Sequence, residues 1–171
     1  MNNIQRLKFI AQGYEIFCDL DGTLVDFDKN FYEVTKMSPI DYINEYGLET
    51  FWEVIKEEGH FWLYLDWLPD GQELWDYIKN TNVSILTTPG GNIEECKKDK
   101  AKWVKKHIEK DIEREIPIIF SAKKYEYAHD KAILIDDMEI NTTLWEDAGG
   151  ISILHESAEI TIKRLKQILQ N

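Results

Sequence analysis

Residues 16–26 read IFCDLDGTLVD and decide the fold of this chain. An apolar run ends at Asp19 and Asp21, two carboxylates two positions apart, and Gly22 then allows a sharp turn. This pattern is typical of a buried strand that ends in a tight turn. Two carboxylates so close repel each other unless one is protonated or a cation lies between them. Because Mg²⁺ takes oxygen ligands and keeps waters that a phosphate can displace, the stretch predicts a magnesium site at a strand end.

The composition is that of a globular domain. The 171 residues fit one domain, or a core with one modest insertion, and 43% of them are apolar and 30% charged. No apolar run approaches the roughly 20 residues that a membrane span needs, and the first residues lack the basic and apolar regions of a signal peptide. We therefore expect a cytoplasmic protein without a membrane partner, in which Cys18 and Cys96 are reduced thiols.

The net charge of −12 bears on the choice of partner. Binding to a polynucleotide depends on neutralising many phosphates with Lys and Arg, so we expect no polynucleotide partner. A small phosphorylated substrate is compatible with the charge, because a metal ion and one or two cations invert its sign inside a pocket. The sequence leaves the oligomeric state open, and a homodimer is compatible with it.

Four more short apolar runs follow the first, and segments with helical patterning separate them. The runs cover residues 83–86, 116–120, 132–135 and 151–154. Five strands that alternate with helices predict an α/β fold with a doubly wound, mainly parallel five-stranded sheet. Ligands of such sheets bind beyond the carboxyl ends of the strands, at a topological switch point. Residues 1–13 fit a short helix or an additional strand, and we assign them no function.

Residues 29–66 differ from the rest of the chain because they are crowded with aromatic side chains. Ser38 and Asp41 mark a helix start, and residues 49–58 fit a second short amphipathic helix. We predict a small helical cap here, inserted after the first strand, and a core made of residues 1–28 and 67–171. Most of these aromatic residues are expected to pack between cap and core, and some to offer a surface on which a flat ring stacks.

Polar side chains follow the other predicted strands too. Thr87 and Thr88 end the second strand, where hydroxyl and backbone N–H groups can bind an anion. Two lysines, at positions 123 and 124, come after the third strand, and two acids, at positions 136 and 137, end the fourth. Since the ends of parallel strands meet at one edge of a sheet, these groups are expected to form one site.

The run Asp19-Leu20-Asp21-Gly22-Thr23 resembles the first motif, D-x-D-G-[TV], of the haloacid dehalogenase (HAD) superfamily of phosphotransferases. Thr87 matches the hydroxyl of the second motif. The third motif is a lysine that binds the phosphoryl group and the nucleophilic carboxylate; Lys124 matches it by alignment, and Lys123 is the alternative. Asp137 matches the metal ligand of the fourth motif, and Asp136 is then a supporting group beside it. The resemblance implies a Rossmann-like HAD core.

A narrower resemblance extends over about residues 15–155. Three of its motifs are residues 19–27, Leu86-Thr87-Thr88-Pro89 and Leu134-Ile135-Asp136-Asp137. The fourth consists of four residues in the helix after the second strand: Cys96, Lys100, Trp103 and Val104. Together they resemble the 5'(3')-deoxyribonucleotidases and their bacterial and phage relatives. The resemblance implies that Phe27 packs near the base of a nucleoside monophosphate and that the Thr87 and Thr88 hydroxyls help to hold its phosphate. Phe51 and Trp52 match an aromatic pair of the cap.

The resemblance also implies a mechanism. Asp19 attacks phosphorus and forms an aspartyl-phosphate, while Asp21 protonates the leaving oxygen and then deprotonates the attacking water. Mg²⁺, held by the Asp19 carboxylate, the Asp21 backbone carbonyl and Asp137, acts with Lys124 and Thr87 to neutralise the phosphoryl oxygens. Two alternatives stay open. One is a HAD phosphatase for another small phosphometabolite or a 3'-phosphate end, and the other is a non-catalytic HAD-like nucleotide-binding module.

Overall fold

A computed structural model describes residues 8–9, 11–91, 93–112 and 114–170. Five strands form its central sheet: β1 (Glu15–Cys18), β2 (Val83–Thr87), β3 (Ile118–Phe120), β4 (Ala132–Asp136) and β5 (Ile151–Leu154). Their order across the sheet is β3-β2-β1-β4-β5, and every neighbouring pair is parallel. The predicted α/β class and the predicted five-stranded parallel sheet are confirmed.

Helices form most of the connections between these strands. They are α1 (Phe27–Thr35), α2 (Pro39–Glu57), α3 (Gly71–Ile78), α4 (Glu94–His107), α5 (Glu139–Asp147) and α6 (Ala158–Ile168). Ser38 caps α2 and Ser157 caps α6, each by accepting a hydrogen bond from a backbone N–H in the first turn. Such caps satisfy N–H groups that a helix start otherwise leaves without a partner.

The sheet is apolar on both faces, as expected of parallel strands that are covered on both sides. Along β1, Ile16 and Cys18 join the larger cluster of buried side chains, whereas Phe17 joins a smaller cluster. The alternation follows from the two-residue period of a strand. Trp145 of α5 belongs to the smaller cluster, and its indole N–H donates to the Ala132 carbonyl at 3.3 Å.

The segment that contains α1, α2 and a 3₁₀ turn (Phe61–Tyr64) leaves the sheet and returns to it at one place. The Asp26 N–H donates to the Asp66 carbonyl at 2.9 Å, and the Leu68 N–H donates to the Leu24 carbonyl at 2.9 Å. We call residues 27–66 the inserted segment. Its position after β1 and its helical content are those predicted, while the division into a cap and a core stays a prediction.

The strand order brings the ends of β1 and β4 side by side. Cys18 pairs with Ile135, and the Asp19 N–H then donates to the Ile135 carbonyl at 2.9 Å. On the other side of β1, Cys18 pairs with Ile85, so β2 ends two residues farther on, at Thr87. Because β2 lies on one side of β1 and β4 on the other, the strand order reverses here, which makes this edge the switch point.

Some element boundaries differ from those predicted. The predicted second cap helix is the latter half of α2, which is kinked at Gly47 where φ is +85°. The charged helix after β2, α4, ends at His107. β3 begins at Ile118 because Pro117 has no N–H to donate to a neighbouring strand.

Three other expectations concern the thiols, the chain start and membrane spans. Cys18 and Cys96 are free and buried. The helix or strand considered for residues 1–13 falls largely outside the described residues. In the part of the chain that the structure describes, no helix is both long and apolar enough to cross a membrane.

Candidate active site

Asp19 lies at the centre of the candidate site, directly after β1. Its buried carboxylate accepts a hydrogen bond from the Leu20 backbone N–H to Oδ1 at 2.7 Å, and its Oδ2 lies 2.8 Å from the Lys124 ammonium. Bonds to charged donors are shorter and stronger than neutral ones, so they fix the orientation of the carboxylate. The site therefore begins with a fixed, ion-paired carboxylate at the end of a central strand.

Lys124 connects Asp19 to Asp136. The Lys124 ammonium lies 2.6 Å from Asp136 Oδ2, and the Asp136 Oδ1 accepts hydrogen bonds from the Met138 backbone and the Asn141 side chain. Burial by itself lowers the pKa of Lys124, but the two carboxylates raise it above its ordinary value. Burial and the neighbouring Asp19 raise the pKa of Asp136. Of the three ammonium N–H groups, two serve these carboxylates, and one stays available for a further anion.

Three carboxylates meet at the ends of β1 and β4. One oxygen from each of Asp19, Asp136 and Asp137 lies within 4.8 Å of the other two. Loss of hydration and the charges of Asp19 and Asp136 together raise the pKa of Asp137 to about 7, although this residue stays partly accessible to solvent. A hard cation with oxygen ligands relieves this repulsion, so the donor set fits Mg²⁺. Asp136 is fully buried and already accepts three hydrogen bonds, one on Oδ2 and two on Oδ1, so the oxygens of Asp19 and Asp137 are those that a cation would bind.

Gly22 allows Asp137 to approach the turn after β1. This glycine has a φ of +73°, and a Cβ placed on it would lie 2.4 Å from Asp137 Oδ2. A residue with a side chain would therefore displace the carboxylate and adopt an unfavourable backbone conformation. The sequence predicted a tight turn at Gly22, but it did not predict this contact.

Asp21 is held by groups from α4 and from the inserted segment. Its Oδ2 lies 2.7 Å from the Lys100 ammonium and accepts a hydrogen bond from the Trp62 indole N–H at 3.2 Å. The other oxygen, Oδ1, is buried and bonds to no group among the described residues. A buried polar atom without a partner is costly unless a ligand or a proton reaches it. Asp21 therefore has one fixed oxygen and one oxygen available for proton transfer.

Lys100 is a functional candidate to which the sequence assigned no role. The residue is 1% exposed, and besides its ion pair its ammonium donates to Thr87 Oγ1 at 2.9 Å and to the Thr88 carbonyl at 2.8 Å. A signal for it exists in the sequence, because Lys100 shares the buried stripe of α4 with Cys96 and Trp103. A lone cation on the apolar stripe of an otherwise charged helix indicates a buried ionic partner.

Thr87 and Thr88 lie where the sequence predicted a phosphate site. Thr87 is buried at the end of β2, and its hydroxyl accepts from Lys100. A hydroxyl that accepts one hydrogen bond still carries a proton that it can donate. Thr88 is exposed, one residue beyond the strand. The Thr87 hydroxyl can therefore donate to an anion beside Asp19, and Thr88 contributes its backbone carbonyl to the Lys100 ammonium.

The structure distinguishes the two lysines that follow β3. Lys124 is buried and ion-paired with Asp19. Lys123 is exposed, and its ammonium lies 3.6 Å from Glu126. Lys124 is therefore the lysine that can contact a ligand held at Asp19.

The three aromatic residues predicted to bind substrate lie in the inserted segment. Phe51 is buried, with ring centroids 6.3 Å from Phe27 and 4.8 Å from Trp52. Phe27 and Trp52 are only half-buried. A Cβ placed on Gly91 would lie 3.0 Å from the Trp52 ring, so Trp52 packs on the loop after β2. Phe51 thus belongs to the interior of the segment, whereas Phe27 and Trp52 are each partly accessible to solvent.

Comparison with known proteins places the fold. No protein-family model matches the chain, and no curated protein matches it significantly. A dehalogenase of solved structure matches at 15% identity and a TM-score of 0.50, over 81% of this chain and 83% of that one. A hydrolase from Pseudomonas syringae matches at 18% identity and a TM-score of 0.50, over 91% of this chain and 99% of that one.

A HAD-family enzyme from Bacteroides thetaiotaomicron gives a similar result. It matches at 15% identity and a TM-score of 0.50, over 84% of this chain and 94% of that one. At such identities the likeness is one of fold. The chain therefore has the fold that HAD-superfamily hydrolases and dehalogenases share.

Proposed function

We propose that this protein is a magnesium-dependent phosphomonoesterase of the HAD type that hydrolyses deoxynucleoside monophosphates. The observation that carries the proposal is the difference between Asp19 and Asp21. Both oxygens of Asp19 are fixed by donors of the chain, whereas Oδ1 of Asp21 has no partner among the described residues. Two nearby carboxylates in different environments suit two roles, a nucleophile and a general acid–base.

The charges of the site support a divalent cation. Four carboxylates (Asp19, Asp21, Asp136 and Asp137) surround two ammonium groups (Lys100 and Lys124). When all six are ionised, two negative charges are unbalanced. Asp19, Asp137 and the Asp21 backbone carbonyl would hold Mg²⁺, which when bound neutralises phosphoryl oxygens and orients the phosphoryl group.

The chain's own residues account for the first half of the reaction. An Asp19 oxygen forms a bond to phosphorus while the ester P–O bond breaks, which gives an aspartyl-phosphate. Asp21 gives a proton to the leaving oxygen of the sugar. The third N–H of Lys124 and the Thr87 hydroxyl donate to the phosphoryl oxygens and so stabilise the charge that they carry.

Lys100 connects Asp21 to the phosphate site. Its three N–H groups serve Asp21, Thr87 and Thr88. A phosphoryl group bound at Thr87 would therefore meet the same ammonium that holds Oδ2 of Asp21.

The second half of the reaction reverses the role of Asp21. The carboxylate, now without its proton, removes a proton from a water molecule, and the water oxygen attacks phosphorus. The bond between phosphorus and the Asp19 oxygen breaks, so that inorganic phosphate leaves and the Asp19 carboxylate is restored. One phosphate ester and one water give one alcohol and one phosphate, and no further reactant is needed.

The preference for a nucleotide rests on the inserted segment. Phe27 and Trp52 are partly accessible to solvent, and Trp52 lies against the loop that carries Thr88. A flat base gains from stacking on such rings. A deoxyribose between the base and the phosphate would then lie beside the inserted segment.

The test is phosphate release from a panel of substrates. The panel contains deoxynucleoside and ribonucleoside monophosphates, sugar phosphates and a 3'-phosphorylated oligonucleotide, each with Mg²⁺ and with EDTA. We expect release that needs Mg²⁺ and is fastest with deoxynucleotides, and slower deoxynucleotide hydrolysis in Phe27→Ala. If release were fastest from a sugar phosphate or from the oligonucleotide, the proposed phosphatase reaction would stand but the proposed nucleotide substrate would be refuted. Nucleotide binding without any release would favour the non-catalytic module.

A further inference from the structure

One side of helix α4 faces both Asp21 and the inserted segment. Its residues recur every three or four positions and therefore lie on one side of the helix. Cys96 accepts a hydrogen bond from the Gly90 N–H at 3.1 Å, and Lys100 serves Asp21 as described above. Two further members, Asp99 and Trp103, contact the inserted segment. The same helix thus holds the catalytic edge of the sheet and the segment that lies against it.

Asp99 is a buried carboxylate outside the catalytic cluster. Its side chain is 0% exposed, and His60 Nδ1 lies 3.1 Å from both of its oxygens. The exposed ammonium of Lys102 lies 3.8 Å from Oδ1 of the same carboxylate. A carboxylate removed from water needs a close donor, so the pair holds His60 in place although that side chain is 55% exposed.

His60 immediately precedes the 3₁₀ turn that carries Trp62. At the other end of the turn, the Trp103 indole N–H donates to the Leu65 carbonyl at 2.8 Å. The turn is therefore attached to α4 at both ends. Between these attachments, the Trp62 indole N–H donates to Asp21 Oδ2 at 3.2 Å. A Cβ placed on Gly90 would lie 2.3 Å from the Trp62 ring, which shows how closely the loop after β2 packs on this indole.

We propose that His60 is a positioning residue for Asp21: through its bond to Asp99 it fixes the turn that brings the Trp62 indole N–H to the Asp21 carboxylate. The imidazole touches neither Asp19 nor Asp21 in the contacts described, so its effect passes through Trp62. With Oδ2 held by the indole and by Lys100, Oδ1 is left to transfer the proton. The inference rests on the proposed function, because it assigns Asp21 the acid–base role.

The first test compares two substrates that differ in their need for a general acid. A deoxynucleoside monophosphate needs a proton on its leaving oxygen, whereas 4-nitrophenyl phosphate has a leaving group that departs without one. In His60→Gln we expect kcat/KM for the nucleotide to fall about tenfold, the size of a lost hydrogen bond to a charged group. The value for 4-nitrophenyl phosphate should stay within a factor of about two, since it does not depend on the acid. Equal losses on both substrates would overturn the inference.

A matched control uses another partly exposed histidine. His129 lies ahead of β4, at the strand end opposite Asp136, and its side chain is 43% exposed. His129→Gln should leave both kcat/KM values unchanged. The same substrate-dependent loss in His129→Gln would overturn the inference.

The second test asks whether His60 acts through Trp62. Trp62→Phe removes the indole donor and keeps an aromatic ring. We expect His60→Gln to add less than a factor of about two in the Trp62→Phe background, because residues that act through one contact are not additive. Losses that multiply in the double variant would overturn the inference.

The third test needs no activity. In a ¹⁵N-labelled sample the Trp62 indole N–H signal, assigned by its loss in Trp62→Phe, should move in His60→Gln and stay in place in His129→Gln. An unmoved signal in His60→Gln overturns the inference, whether or not the protein hydrolyses any ester. Failure of the native protein to release phosphate would instead count against the proposed function, and the indole signal would still decide whether His60 holds Trp62.

Discussion

Replacing Lys124 with methionine tests the ionic centre of the site. The variant keeps the length of the side chain but removes the ammonium that lies 2.8 Å from Asp19 and 2.6 Å from Asp136. Lys124 is 2% exposed, so the two carboxylates lose a counter-charge that water cannot replace. Breaking a buried ion pair by removing one partner costs about 3–5 kcal/mol, and we expect a loss of unfolding free energy in that range.

The loss of unfolding free energy in Lys124→Met depends on pH, and the pKa of Asp136 determines whether it grows or shrinks as pH rises. Burial and Asp19 already raise this pKa, and without Lys124 it rises further. A carboxyl group with a pKa raised on folding binds its proton more tightly in the folded state, so stability falls as pH rises from about 4 through the folded value. The Lys124→Met loss should therefore be larger near pH 8 than near pH 5.5.

Urea unfolding of metal-free protein at the two pH values measures this loss. Lys123→Met is the matched control, because Lys123 is an exposed neighbour that lies 3.6 Å from Glu126. Its effect should stay within about 0.5 kcal/mol at either pH. A Lys124→Met loss below about 1 kcal/mol near pH 8, or equal losses in the two variants, would refute the reasoning.

Three further variants probe other parts of the site. Because the folded state takes up a proton at Asp137, whose pKa is about 7, the metal-free protein should become more stable as pH falls from about 8 to 6. Urea unfolding of Asp137→Asn should show a smaller increase in stability over this pH range, and an unchanged increase would contradict the assignment. Gly22→Ala should lower the free energy of unfolding by about 1–2 kcal/mol, because alanine is strained at a φ of +73°. Calorimetry should also show weaker Mg²⁺ binding, because the new Cβ displaces the Asp137 carboxylate, and native Mg²⁺ affinity would show that this carboxylate is free to move. Lys100→Met should lower kcat about a hundredfold, because Asp21 and Thr87 both lose the ammonium that positions them. A native kcat would exclude Lys100 from the reaction.

The residues at the strand ends were predictable from the sequence. Asp19, Thr87 and Asp136 each end an apolar run, and in a parallel sheet such ends meet at one edge. That argument needs only the local pattern and the alternation of strands with helices. This local pattern therefore predicts the sheet, the position of the candidate site and most of its acidic and hydroxyl groups.

The partners of Asp21 could not be predicted in the same way. Trp62 reaches Asp21 from the inserted segment, far away in the chain, and its indole is one aromatic ring among many in that segment. The contact between Gly22 and Asp137 depends on the strand order, which places β4 beside β1. Periodicity reports which face of an element is buried, but not which distant group it meets.

The burial of Lys100 was predictable from the sequence, but its contacts were not. Its place on the buried stripe of α4 is visible in the sequence, since Cys96, Trp103 and Val104 share it. The sequence does not show that three acceptors surround the ammonium, because these come from the turn after β1 and from the end of β2. A buried lysine could be predicted, but its partners could not.

Turnover by Asp19→Asn tests the central claim most directly. The substitution keeps the size of the side chain and removes the nucleophilic carboxylate. On the fastest substrate of the panel, in Mg²⁺, we predict that phosphate release falls to the uncatalysed background while calorimetry still detects substrate binding. Release at the rate of the native protein would contradict the account, because Asp19 would then not be the group that attacks phosphorus.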